Sequence, residues 1–175
     1  MKLKPTYRMP FKRRRLGKTD YRKRLKLLLS KKPRLVVRKS LKYVRAQIVE
    51  FDKIGDKTLV AAGSEELKKF GWKFPADNLP AAYLTGLMIG KKAVKKGVKE
   101  AVLDAGLYPS TAGSRIYAVV RGAMDAGLKM SAKEKVLPKE ERIRGMHIAG
   151  YLEKFKNLPE EFEKIKQKIL GGKDA

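Results

Sequence analysis

Two periodicities divide the chain. Between residues 35 and 62 apolar side chains tend to alternate with polar ones, whereas elsewhere they recur every three or four positions. Leu35-Val36-Val37 opens the first strand-like run, Tyr43 to Phe51 forms the second, and Thr58 to Ala62 the third. Leu41-Lys42 is short enough for a two-residue hairpin turn, although it lacks Asn-Gly chemistry. Ile54-Gly55-Asp56 marks the next turn, so the pattern predicts an antiparallel three-stranded meander. Side chains two apart share a sheet face. With Leu35, Val37, Val44, Ala46 and Ile48 towards a core, the opposite face carries Arg38 and Ser40 from the first strand. Tyr43, Arg45 and Gln47 join them from the second.

Helical spacing begins earlier. Tyr21, Leu25, Leu28 and Leu29 fall on one stripe of a short helix capped by Thr19, with Asp20 in its first turn and Pro33 beyond its end. Such a helix would dock by its leucines and turn Arg22, Lys23 and Lys26 outward. After the meander, Ser64 starts a short helix that Gly71 ends, and Trp72 in the following loop reads as a packing anchor. A longer helix spans about Pro80 to Lys96, with Tyr83, Leu87, Ile89 or Gly90, and Val94 facing a sheet. Val98 to Asp104 reads as a fourth strand reached by a crossover. Ser114 caps the next helix, whose apolar face is Ile116, Val119, Val120 and Met124. Its Gly122 and Ala123 are small enough for close helix–sheet packing, and Gly127 ends it. From Pro138 a helix broken near Gly145 runs to about Phe155. A last one from Pro159 aligns Phe162, Ile165 and Ile169 before Gly171-Gly172.

The expected class is α/β. A small mixed sheet, three antiparallel strands plus a parallel fourth, carries helices on one face and leaves the other for a partner. The expected division is a basic arm and helix at 1–33, a compact domain at 34–130 and a helical C-terminal extension at 131–175.

Charge gives the uncovered face a purpose. The 175 residues carry a net +25, yet Met1 to Arg45 alone hold 19 Lys or Arg against one acid, Asp20, which is +18. Such a block repels itself and suits a polyanion. Its densest part, Lys12, Arg13, Arg14 and Arg15 with Lys18 nearby, is expected to stay extended or mobile until that partner arrives. Arginines for phosphate, Ser40 and Gln47 for hydrogen bonds and Tyr43 for stacking make the exposed sheet face one that suits RNA. The 43% hydrophobic content allows a real core. No cysteine and a single histidine argue against a disulfide framework, a cysteine zinc site or a His-rich metal centre, and no cofactor is expected. No apolar run resembles a signal peptide or membrane span, so the expected location is cytoplasmic, with no membrane or small-molecule partner.

Catalytic readings fare poorly. Gly86-Leu-Met-Ile-Gly90-Lys91-Lys92 superficially resembles a phosphate loop, but its glycines are too close and no Ser or Thr follows the lysine. An RNA-processing or nuclease-like enzyme on a ribonuclease-H-like sheet is the alternative function. It needs clustered carboxylates for metal ions; Asp104 ends the fourth strand, the first strand has no acid, and Asp52 lies towards a turn. His147 lacks a visible catalytic partner and suits packing or an RNA contact.

More specific segments then identify a relative. Arg34-Leu-Val-Val-Arg38-Lys-Ser40 and Tyr43-Val-Arg-Ala46-Gln47-Ile48-Val49 closely resemble the sheet of large-subunit ribosomal protein family eighteen. Its archaeal form is similar at Asn78-Leu-Pro-Ala-Ala-Tyr-Leu-Thr-Gly-Leu87, Gly113-Ser-Arg115, Gly122-Ala-Met-Asp-Ala-Gly127, Glu140-Glu-Arg-Ile-Arg-Gly145 and His147-Ile-Ala149. Thr19-Asp-Tyr-Arg-Lys-Arg-Leu25 resembles that family's basic first helix, and the likeness spans about residues 5–155. The resemblance implies a non-catalytic ribosomal protein that binds 5S rRNA and attaches it in the central protuberance. It also implies contact with 23S rRNA and, among neighbouring ribosomal proteins, the family-five 5S-binding protein. Carried over by position, the arm, Tyr21 to Lys26, Arg38, Ser40, Arg45 and Gln47 become RNA contacts. Ser114, Arg115, Arg142, Arg144 and His147 are added by the same resemblance.

Overall fold

A computed structural model describes residues 5–171. Its sheet contains β1 (Arg34–Lys39), β2 (Val44–Glu50), β3 (Lys57–Gly63), β4 (Glu100–Asp104) and β5 (Lys129–Met130), ordered β3-β2-β1-β4-β5. β1 to β3 form the expected antiparallel meander, and β4 joins β1 in parallel. The fifth strand is an addition: it pairs parallel with β4, and two residues are too few to display alternation. Opposed residues include Arg38 with Arg45 and Val36 with Gln47, so the polar face has the anticipated parity. Leu35, Val37, Val44, Ala46 and Ile48 are all 0% exposed on the other. Ser40 closes the β1–β2 turn. Its amide donates to the Tyr43 carbonyl at 2.8 Å, while its Oγ accepts from the Tyr43 amide at 2.9 Å. A serine thus supplies closure where Asn-Gly is missing.

The apolar face is covered by α3 (Leu79–Lys95) and α4 (Arg115–Asp125). Asn78 caps α3 by accepting from the Ala81 amide at 2.9 Å, with Pro80 in the first turn, where no N–H is required. A Cβ on Gly86 would collide with the Val119 carbonyl, and one on Gly122 with the Tyr83 carbonyl. These glycines serve close helix–helix packing, which corrects the expectation of helix–sheet contact for Gly122. They also explain the loop-like Gly86…Gly90 pattern, since a Cβ on Gly90 would lie 2.7 Å from that of Ala126.

α7 (Leu158–Leu170) closes the core from another side, burying Leu158, Phe162, Ile165 and Ile169. Phe162 packs 5.6 Å from the Tyr83 ring, so the last helix shares the main core. α3 is consequently buried on every side from Leu79 to Gly90. Val94, expected to face the sheet, is 46% exposed instead. Burial along α3 follows several neighbours, and a single apolar arc does not describe it. Between α4 and α7, α5 (Glu140–Ile143) and α6 (Met146–Tyr151) meet at Gly145, φ 79°. A side chain there would strike Leu158 and Pro80 as well as demanding left-handed backbone. Gly171 ends α7; Gly172, also read as a terminator, lies outside the described residues.

Candidate nucleic-acid interface

Ahead of the sheet lie α1 (Lys12–Arg15) and α2 (Tyr21–Leu28), neither with a buried residue. The first is a single turn inside a segment expected to be extended. The cap of α2 is Asp20, where Thr19 was anticipated: one carboxylate oxygen accepts the Arg22 and Lys23 amides at 2.9 and 3.2 Å. The hydrogen bond from Lys23 leads in holding this carboxyl below its ordinary range. Thr19 Oγ1 accepts from Arg13 Nε at 2.9 Å, and Phe11 lies 5.3 Å from the Tyr21 ring.

α2 does not dock by its leucine stripe. Leu25 is 61% and Leu29 73% exposed, while Tyr21, Leu27 and Leu28 are half-buried. Arg24 turns inward. Its two terminal nitrogens grip the Asp56 carboxylate at 2.8 and 2.7 Å, a fork-to-fork pair of the strong, directional kind. Asp56 also accepts from Arg34 at 2.6 Å, and Arg34, only 2% exposed, reaches Asp104 at 2.7 Å. Asp104 accepts from Arg38 at 3.2 Å and from the Gly106 amide at 2.9 Å. Arg38 is fixed further by the Val37 and Asp104 carbonyls, both at 2.8 Å. The charges therefore alternate from α2 across the polar sheet face: Arg24, Asp56, Arg34, Asp104, Arg38. The burial of Arg34 is tolerated because each of its terminal nitrogens meets a carboxylate, Asp56 on one side and Asp104 on the other. The hydrogen bond from Arg24 is the foremost reason the Asp56 carboxyl is held below its usual range.

Between α2 and that face lies a cleft of about 970 Å³. The arm side contributes Arg13, Lys18, Tyr21, Lys23 and Lys26; the sheet side offers Arg38, Gln47 and Tyr108. Tyr108 is held by donating to the Lys39 carbonyl at 2.7 Å, with Lys39 Nζ 5.0 Å from its ring centroid. Among the described residues, Lys12, Arg14, Arg15, Lys18, Arg22, Lys23 and Lys26 make no ion pair and no side-chain hydrogen bond. Seven cations on two short exposed helices and their link leave a strongly positive surface.

Other candidates occupy different settings. Arg45 is exposed beside Glu65, 3.5 Å away, Tyr43 is half-buried, and the Ser40 hydroxyl closes its turn. Ser114 begins α4 without making a side-chain cap, and its buried Oγ has no partner. Arg115 donates to the Asp77 carbonyl and lies 3.3 Å from its carboxylate, tying α4 to the loop before α3. Arg142 and His147 are exposed near α5 and α6, where partial burial and then Arg142 push the imidazole below its ordinary pKa. Arg144 bonds Glu140 at 2.7 Å and approaches Glu163 at 3.4 Å. None of these eight candidates lines the cleft.

Sequence reasoning passed over Arg24, Arg34 and Asp56 as a unit. Asp104, weighed as a nuclease acid, instead accepts from two guanidiniums and an amide. Among the described residues no group of three or more His, Asp or Glu could hold a metal ion. No described helix is long and apolar enough to cross a membrane.

Comparison with known proteins gives the family. The family described as ribosomal large subunit proteins 60S L5 and 50S L18 matches residues 5–100, which include α1, α2, the meander and the whole of α3. The large ribosomal subunit protein uL18 of Methanococcus maripaludis is 49% identical over 191 aligned positions, covering 97% of this chain and 99% of that protein. On both grounds, the chain belongs to this family of structural, non-enzymatic large-subunit ribosomal proteins.

Proposed function

We propose that this protein binds 5S rRNA and helps attach it to the large subunit in the central protuberance, while also touching 23S rRNA. Its protein neighbours there include the family-five 5S-binding protein, and the setting is the cytoplasmic ribosome. The observation that carries the reading is the set of unpaired cations between Lys12 and Lys26, of which Lys18, Lys23 and Lys26 line a cleft over a polar sheet face furnished with Arg38, Gln47 and Tyr108. Cations without internal partners gain by displacing the counterions condensed on RNA, and that supplies affinity. Folded RNA presents shape, 2′-hydroxyls and unstacked bases, which a fixed face with amide and ring groups can distinguish from a uniform helix.

Co-purification followed by sizing of the bound RNA tests this directly. A 5S-length species retained at moderate salt, and outcompeting bulk tRNA, is the expected result. Retention of tRNA and 5S rRNA in proportion to their abundance would reduce the surface to a non-specific cation patch.

A further inference from the structure

We propose that Asp56 is a positioning residue for RNA binding, holding α2 across the polar sheet face through Arg24 so that the arm's cations stand at the cleft before RNA arrives. The inference rests on the proposed function for its consequence, but the latch belongs to the free protein.

α2 has little else to keep it in place. No residue of it is buried: Leu25 points into solvent, as does Leu29 just past its end, and Tyr21, Leu27 and Leu28 are only half-buried. Its exposed cations repel one another, and the nearest acid in sequence, Asp20, is occupied in capping the helix. Asp56 lies 32 residues from Arg24, in the β2–β3 connection, and meets it in bidentate geometry. An ordinary surface pair contributes little because two flexible side chains must be ordered together. Here the carboxylate is fixed independently by Arg34, which is buried and anchored in turn on Asp104. Only Arg24 remains to be ordered, so docking is favoured. A carboxyl held below its usual range contributes above that range and loses its contribution only as pH falls through the lowered value. The latch is therefore closed at neutral pH.

A ligand's apparent affinity is proportional to the fraction of protein already in the competent arrangement. If undocking α2 leaves about a tenth of molecules competent, 5S rRNA binds roughly tenfold more weakly. The full-length protein, Asp56→Asn, Arg24→Gln and the double variant are compared by 5S rRNA titration across a salt series. Limited trypsin digestion of each RNA-free protein is the second readout. The expected result is a similar, roughly tenfold loss in all three variants with the salt slope unchanged, since no phosphate contact has been removed. Cleavage after the basic residues of α2 accelerates several-fold in all three. Tighter binding by Asp56→Asn would mean that the acid competes with phosphate for the arginines, and would overturn the proposal. So would a lower salt slope in Arg24→Gln, which would make Arg24 a phosphate contact, or unchanged digestion and affinity in both single variants. Should wild-type protein ignore 5S rRNA, the proposed function fails, whereas accelerated digestion of the variants would still establish the latch.

Discussion

Two sets of cations in this molecule differ in one respect, whether the fold gives them a partner. Lys91, Lys92, Lys96 and Lys168 all donate to backbone carbonyls: those of Ile169 and Leu170, Ala61, Leu59 and Phe70 respectively. Lys92 reaches Glu66 as well, at 2.7 Å. They tie the C-terminal end of α3 to the end of α7 and to β3, and α7 to the turn before Gly71. In the arm, Lys12, Arg14 and Arg15 have no such bond, and Arg13 reaches only Thr19. Identical side-chain types thus serve architecture in one region and, in the proposed function, an external polyanion in the other. Composition cannot separate the two sets; partnership can.

The sharpest way to break the architectural half is to disturb what the paired cations surround. Gly86→Ala forces a Cβ against the Val119 carbonyl, a backbone atom that cannot rotate away. Overpacking of this kind should cost about 3 kcal/mol in urea denaturation, at the upper end of the ordinary range. The RNA affinity of the folded fraction should be unchanged. A cost near zero would mean that α3 and α4 can separate freely and that the glycine contact is incidental.

A smaller effect probes recognition. Arg38→Ala combined with Arg45→Ala removes the two arginines opposed on the polar sheet face. Competition between 5S rRNA and tRNA should show a several-fold loss of preference, about 1 kcal/mol. Equal weakening towards both RNAs would assign these residues to the non-specific class.

Arg115 lies on the border between the two sets. Its bonds to Asp77 belong to the fold, whereas resemblance by position suggested RNA. Arg115→Ala should lower stability by about 1 kcal/mol, the usual contribution of such a bond, and leave 5S rRNA binding intact. The reverse pattern would move it into the arm's category.

How much was legible in sequence follows the reach of each signal. Alternation is local, so Val44, Ala46 and Ile48 disclosed both the strand and its buried face. Lys129–Met130 was too short to alternate, and β5 exists because β4 offers it an edge. The leucine stripe of α2 misled because spacing records which side chains could share a face, not what that face meets. The contact that holds α2 runs from Arg24 to Asp56 in the β2–β3 connection, and no periodicity links residues 24 and 56. Val94 failed for the reason α3 is buried elsewhere: α4 and α7 set its environment from distant parts of the chain. The concentration of charge in the arm was legible in the sequence, but the placement of α2 over the sheet was not.

The division between paired and unpaired cations can be tested with two variants of equal charge. One replaces Lys12, Arg13, Arg14 and Arg15 by alanine; the other replaces Lys91, Lys92, Lys96 and Lys168. Both remove four positive charges, so any difference in the slope of log K for 5S rRNA against log salt reflects where the cations stand. The arm variant should lose up to about 0.7–0.9 of slope for every phosphate contact removed, with its melting temperature unchanged. The lysine variant should keep the wild-type slope and melt at a lower temperature. Equal slopes in the two variants would show that RNA senses only total charge, and the assignment of the arm as the binding element would be contradicted.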